Sequence, residues 1–186
     1  MRLLIVFLLS GWLLLAQSEH WVATWATSQQ LYRAAPPASR PPARPSRPNP
    51  ARRFGIPAGL DGLNNQTVRM IARTSIAGHR VRIRLASALG SGTVEFGSAH
   101  IAIQSKDSAI TPGSDRVLTF SGKPRATLYA GATLVSDPVD LDLPPLAHVA
   151  VSLYVPGEIG PPTSHTFALH TTWISKEGDF TAKPDI

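Results

Sequence analysis

The sequence predicts an all-β protein, an antiparallel two-sheet β-sandwich of jelly-roll form, and three observations predict it. From Thr67 onward apolar residues recur with a period of two, the repeat of a strand with one buried face. Short apolar runs are separated by Gly90-Ser91-Gly92, Thr111-Pro112-Gly113-Ser114, Ser121-Gly122-Lys123-Pro124, Ser136-Asp137-Pro138, Pro144-Pro145 and Val155-Pro156-Gly157, all of them turn chemistry. No convincing amphipathic helix separates the runs, which favours antiparallel connections over a parallel α/β sheet.

Taken in order, residues 1–18 read as an export signal. A single Arg2 precedes the apolar run Leu3 to Leu15, and Ala16 and Ser18 are small enough for signal peptidase. The run holds 13 residues, whereas a membrane span takes ~20, so cleavage and a secreted or periplasmic product are expected, with no transmembrane segment in the mature chain. The sequence has no cysteine, so an exported chain of this kind relies on a packed core rather than a disulfide framework. With 186 residues and 43% apolar content, one domain's worth of core is available.

Residues 19–32 are expected to form an N-terminal strand segment, with Trp21 and Trp25 four apart and facing one side, in a core or along a groove. Residues 33–57 read as a Pro/Arg-rich loop or linker. Six of the 18 Lys and Arg lie between Arg33 and Arg53, where there is no Asp or Glu, leaving 12 basic against 12 acidic residues elsewhere. The net charge of +6 is therefore local, and a nucleic-acid surface is not the expected partner. Seven prolines in the same stretch favour extended conformations. The stretch is either a solvated linker or an anchor to an acidic envelope polymer.

The β-sandwich is expected over residues 58–175. Its clearest element is a hairpin, Val68 to Ile76 and Val81 to Leu85, joined by Gly78-His79 as a type II′ turn. That register pairs Ile76 with Val81 and sets Arg73 opposite Arg84, giving one apolar face and one face of Arg69, Arg73, Arg80, Arg82 and Arg84. Like charges so placed cost up to ~1 kcal/mol unless neutralised, so this face either meets carboxylates of another domain or splays into water. Arg73, Arg80, Arg82, Arg84, Trp21 and Trp25 are the candidates for an interdomain or ligand face. Further strands are expected at Thr93–Phe96, Ala99–Gln104, Arg116–Phe120, Ala126–Tyr129, Thr133–Val135, Val139–Leu143, Val149–Val155 and Thr166–Ile174.

No chemistry rises from these strands. There is no Gly-x-Ser-x-Gly elbow, and Gly113-Ser114-Asp115 beside Pro112 reads as a turn. His165 and His170 are five apart, hence on opposite faces of a strand, while His100 and His148 read as structural. Asp137, Asp140 and Asp142 suit turn and strand-edge positions better than a calcium site. No catalytic residue, metal ligand or cofactor site is assigned. Asn65-Gln66-Thr67 matches a glycosylation acceptor, a short motif of low specificity. Exposed aromatics leave room for a carbohydrate-binding role.

Seven blocks in order, Trp21 to Gln29, Asn65 to Arg69, Gly78 to Leu85, Pro112 to Asp115, Ser136 to Val139, Val151 to Val155 and Gly178 to Phe180, resemble the amino-terminal region of secreted bacterial SGNH (GDSL-type) esterases and lipases. The resemblance runs from Trp21 to Ala182 apart from the Pro/Arg stretch. It implies a β-sandwich that precedes a hydrolase domain carrying a Gly-Asp-Ser nucleophile block and an Asp-x-x-His block, neither of which occurs here. Residues 176–186 would then open a linker to that absent C-terminal domain, and the role implied for this chain is accessory rather than catalytic. The alternative is a secreted carbohydrate-binding module that acts alone, with a polysaccharide as its partner.

Overall fold

The structure, a computed structural model, describes residues 20–30, 62–163, 165 and 170–186. The export signal and the Pro/Arg stretch expected from the sequence lie outside the described residues, as does part of the strand expected from Thr166. The described chain is all-β, with twelve strands paired antiparallel in a sandwich-like arrangement and no helix among the described residues. No described helix is long and apolar enough to cross a membrane.

The larger layer is a six-stranded sheet. β1 (Gln66–Arg73) lies between β11 (His148–Val155) and β12 (Thr172–Glu177), β11 continues to β5 (Ser98–Lys106), and β5 carries β6 (Ala109–Ile110) and β7 (Arg116–Val117). The second layer consists of three two-stranded pieces: β2 (Gly78–Val81) with β10 (Val139–Leu143), β3 (Arg84–Ala86) with β9 (Thr133–Val135), and β4 (Val94–Phe96) with β8 (Ala126–Leu128).

Alternation along the central strands builds the core. Val68, Met70 and Ala72 of β1, Val149, Val151 and Leu153 of β11, and Ala99, Ile101 and Ile103 of β5 belong to one cluster with Phe96, Leu128, Leu141 and Leu143 of the second layer. Leu118 is fully buried in that cluster. Burying a side chain of this size contributes ~1.5–3 kcal/mol, so a core of this extent holds the sandwich together without disulfides.

The expected hairpin does not form. β1 is paired along its whole length with β11, Arg73 opposite His148, and its other edge receives β12. With both edges of β1 occupied, Val81 pairs with Val139 of β10 and Arg84 with Val135 of β9. Arg73 and Arg84 are therefore not neighbours. Gly78 opens β2 opposite Leu143 and is not among the positive-φ glycines, so no type II′ turn is made there. Of the strand segment expected at residues 19–32, the described residues 20–30 form no strand: residues 20–29 have no ladder pairing, and Gln30 makes an isolated bridge.

The outer face of the large sheet is also covered. Ile71, Ala102 and Ala150 pack in a second cluster with Ile110 and Trp173. Next to them, register places Arg69, Ser152 and His100 in one row across β1, β11 and β5, and Thr67, Tyr154 and Ser98 in the row beyond. Over these rows lie residues 178–186.

Candidate functional site

Two polar constellations stand out, one under the C-terminal segment and one beside the N-terminal segment. The first is built on Arg69, which has no solvent exposure although it sits in the middle of a strand. Its Nε donates to Ser152 Oγ at 2.8 Å. Nη1 donates to the carbonyls of Ser108 at 2.7 Å and Pro184 at 3.5 Å. Nη2 donates to Phe180 O at 3.4 Å, Thr181 O at 3.3 Å and Lys183 O at 2.8 Å. A guanidinium suits this position because it presents five donors in a fixed fork. Burial lowers its pKa, and the carboxylates of Asp185 and Asp115 oppose that shift.

Neighbouring bonds complete the clasp. Gly178, at φ 120°, turns the chain after β12, its N–H donating to Asn65 O at 2.6 Å and its carbonyl accepting from Thr67 Oγ1 at 3.0 Å. Phe180 N–H donates back to Thr67 Oγ1 at 2.8 Å. Ser98 Oγ donates to Asp179 Oδ2 at 2.8 Å, and Asp179 Oδ1 accepts from the Thr181 amide and hydroxyl. Ile110 N–H donates to Pro184 O at 2.9 Å, while Ser108 Oγ donates to Asp185 and to Ile186 O. β12 runs to Glu177, so residues 176–186 are bonded into the sheet rather than leaving it at 175. Thr67 is fully buried, and Asn65 Oδ1 accepts from the Tyr154 phenol O–H at 2.6 Å, so the glycosylation-like tripeptide is consumed by internal bonds.

This region also contains Ser152, His100 and Asp115, a trio of residue types that performs nucleophilic catalysis elsewhere. His100 Nδ1 is 2.8 Å from Asp115 Oδ2. Ser152, however, is buried and its hydroxyl oxygen accepts from Arg69. Its lone pair faces a cation that never gives up its proton at neutral pH, which is the reverse of activation by a base. Ser152 Oγ is thus engaged by the Arg69 guanidinium, and the His100 ring by the Asp115 carboxylate.

The second constellation is a cleft of about 370 Å³ between residues 20–24 and the β1–β2 corner, floored by Leu143 of β10. Trp21, Val22, Ile76, His79 and Arg80 line it. The N-terminal segment is held there by side chains rather than by a ladder: Thr24 Oγ1 accepts from Ser75 N–H at 2.6 Å, and Gln29 bonds Ala86 O and, at 3.1 Å, the Ala88 N–H. The Arg82 guanidinium lies 4.2 Å from the centroid of the Trp21 ring, a cation–π contact worth ~0.5–1 kcal/mol at an exposed site. Arg80 Nε is 3.1 Å from Asp140 Oδ1, and His79 Nδ1 is 2.6 Å from Asp142 Oδ1.

Of the six candidate face residues, Trp21, Arg80 and Arg82 gather at this cleft. Trp25 is exposed and lines no part of it. Arg73 is exposed and reaches Leu146 O at 3.5 Å, and Arg84 is exposed on β3 opposite Val135. Neither tryptophan belongs to a core cluster. Asp140 and Asp142 are used by Arg80 and His79, whereas Asp137 binds the Thr119 hydroxyl at 2.6 Å and the Gly122 amide at 2.7 Å. The Thr119 bond, followed by the Gly122 amide, lowers the Asp137 pKa. No group of three or more potential metal ligands comes together among the described residues. His165 meets Ser28 O, and His148 meets His170 edge to face with ring centres 5.8 Å apart.

Sequence reasoning missed the Arg69 clasp and the roles of Ile76, His79 and Leu143 in the cleft. A signal for Arg69 was present: Ile71 shares its face, and a strand with isoleucine on one face and Val68, Met70 and Ala72 on the other is covered on both sides. The cleft had no comparable signal, because it depends on residues 20–30 folding back beside residues 75–88.

No protein-family model and no curated protein matches this chain.

Proposed function

We propose that this chain forms the non-catalytic, amino-terminal accessory β-sandwich of an exported SGNH (GDSL-type) esterase or lipase, whose serine-dependent ester hydrolysis belongs to a separate hydrolase domain. The observation that carries the reading is the convergence of three of the resembling blocks on one structural feature. Asn65 to Arg69 supplies the clasp, Val151 to Val155 supplies Ser152 and Tyr154, and Gly178 to Phe180 supplies the turn and a carbonyl that the clasp holds. Blocks far apart in sequence thus meet at one structural feature, which supports the resemblance. The buried, Arg69-bound Ser152 further supports a recognition role over bond cleavage.

The accessory role is to hold a hydrolase near a polymeric substrate or to shape its entrance, with the Trp21 cleft as the recognition element. Determining the nucleotide sequence that follows the Ile186 codon tests it. The reading requires an open frame that reaches a Gly-Asp-Ser block, and a frame without such a block would remove it. A second reading, a carbohydrate-binding module that acts without a hydrolase, draws on the same cleft and would survive that outcome.

A further inference from the structure

We propose that the cleft beside Trp21 binds a pyranose unit of a neutral polysaccharide. The inference rests on the recognition role given above and on no ester chemistry. At about 370 Å³ the cleft lies at the small end of ligand sites, which span ~300–1,000 Å³. That volume suits one sugar ring with part of its neighbour. Its lining is divided in the way a pyranose is divided: Trp21, Val22 and Ile76 give an apolar side, and His79 and Arg80 give planar hydrogen-bonding groups. A sugar presents an apolar C–H face to an indole and a rim of hydroxyls to such groups.

Two further observations narrow the ligand. The indole is braced by the Arg82 guanidinium at 4.2 Å and by a segment tied to Ser75, so little side-chain freedom is lost on binding. Arg80 and His79 each have a carboxylate partner, Asp140 and Asp142. The two guanidiniums at the cleft, Arg80 and Arg82, are matched in number by the carboxylates of Asp140 and Asp142, so the cleft has no excess positive field with which to concentrate an acidic polymer. Neutral chains are therefore favoured over polyuronates.

The test is affinity electrophoresis of the purified 186-residue protein through gels containing xylan, a mixed-linkage glucan, galactomannan or polygalacturonate, at low and high salt. Retardation by at least one neutral polysaccharide, unchanged by salt, is expected. Trp21→Ala should weaken it about tenfold, while Tyr129→Ala, an exposed aromatic outside the cleft, should not. His79→Ala, whose side chain is 92% exposed in the native protein, provides a variant with no reason to misfold and should weaken retardation about threefold. No retardation by any neutral gel, retardation by polygalacturonate alone, or binding unaltered in both cleft variants would each overturn the proposal. None of these outcomes bears on the downstream reading frame, so the accessory assignment stands or falls separately.

Discussion

Arg69 Nε donates to Ser152 Oγ at 2.8 Å across the β1/β11 ladder, and this bond aims both terminal nitrogens of the guanidinium at backbone carbonyls outside the sheet. Five of its six acceptors are carbonyls, four of them in residues 180–184. Residues 180–184 are in this way made part of the domain.

Replacing Arg69 by Met should therefore do more than remove one side chain. The carbonyls it serves lose a charged donor in a buried setting, and hydrogen bonds to charged groups contribute ~1.5–3 kcal/mol each. Breaking such an arrangement from one side costs ~3–5 kcal/mol. Urea unfolding should show that loss, and chymotrypsin should cut after Phe180 well before global unfolding. Arg69→Lys should recover only part of it, since an ammonium lacks the fork that spans both sides. A midpoint within the error of the native protein would contradict the clasp.

Acid should loosen the same segment. Burial raises the Asp179 pKa, but the Thr181 hydroxyl and amide, the Ser98 hydroxyl and nearby His100 outweigh it, so the net shift is downward from 3.8. Asp185 is also lowered, first by the Ser108 hydroxyl and then by the Ile186 amide. A carboxylate with a depressed folded pKa contributes stability that is complete above the unfolded value, and loses it as pH falls through the folded one. Stability is thus expected to be insensitive to these groups near neutrality and to fall below about pH 3.8. Asp179→Asn should flatten that acid limb in urea midpoints measured across the range, and an unchanged limb would refute the assignment.

The turn that feeds the clasp depends on Gly178. At φ 120° an L side chain is strained, and an added Cβ would lie 3.3 Å from the Phe180 ring. Gly178→Ala should cost ~1–3 kcal/mol, seen as a lower thermal midpoint. The same substitution at Gly157, which has neither a positive φ nor a close neighbour, should be nearly neutral.

The core that joins the layers has a simpler test. Leu118 is fully buried, so Leu118→Ala should cost ~2–5 kcal/mol by chemical denaturation. A cost below ~1 kcal/mol would mean that the two layers do not share this core.

The strands were legible in the sequence wherever one side of the chain was apolar and turn residues closed both ends. β9 at Thr133–Val135 and β10 at Val139–Leu143 have the expected limits, β8 and β11 differ by one residue at one end, and β5 extends one residue before and two beyond its expected limits. Pairing was not legible. A turn-like Gly78-His79 suggested a local hairpin, yet β1 gains more from burial between β11 and β12 than from its sequence neighbour, so non-local partners prevail. The two-residue β6 has too little pattern to be read at all. In the candidate site, Trp21, Arg80 and Arg82 are legible by residue type, whereas the alternation of β1 makes buried Arg69 look like one more member of the arginine face. Charge alone does not distinguish a guanidinium that faces water from one that faces six acceptors.

The proposed accessory role has this β-sandwich recognise a polymer and leave ester cleavage to another domain. Its most direct test is the rate of nitrophenol release from a short-chain nitrophenyl ester by the pure 186-residue protein, with and without a serine-directed fluorophosphonate. Release at the buffer rate, unaltered by the reagent, is expected. Turnover above that rate, abolished by the fluorophosphonate, would contradict it.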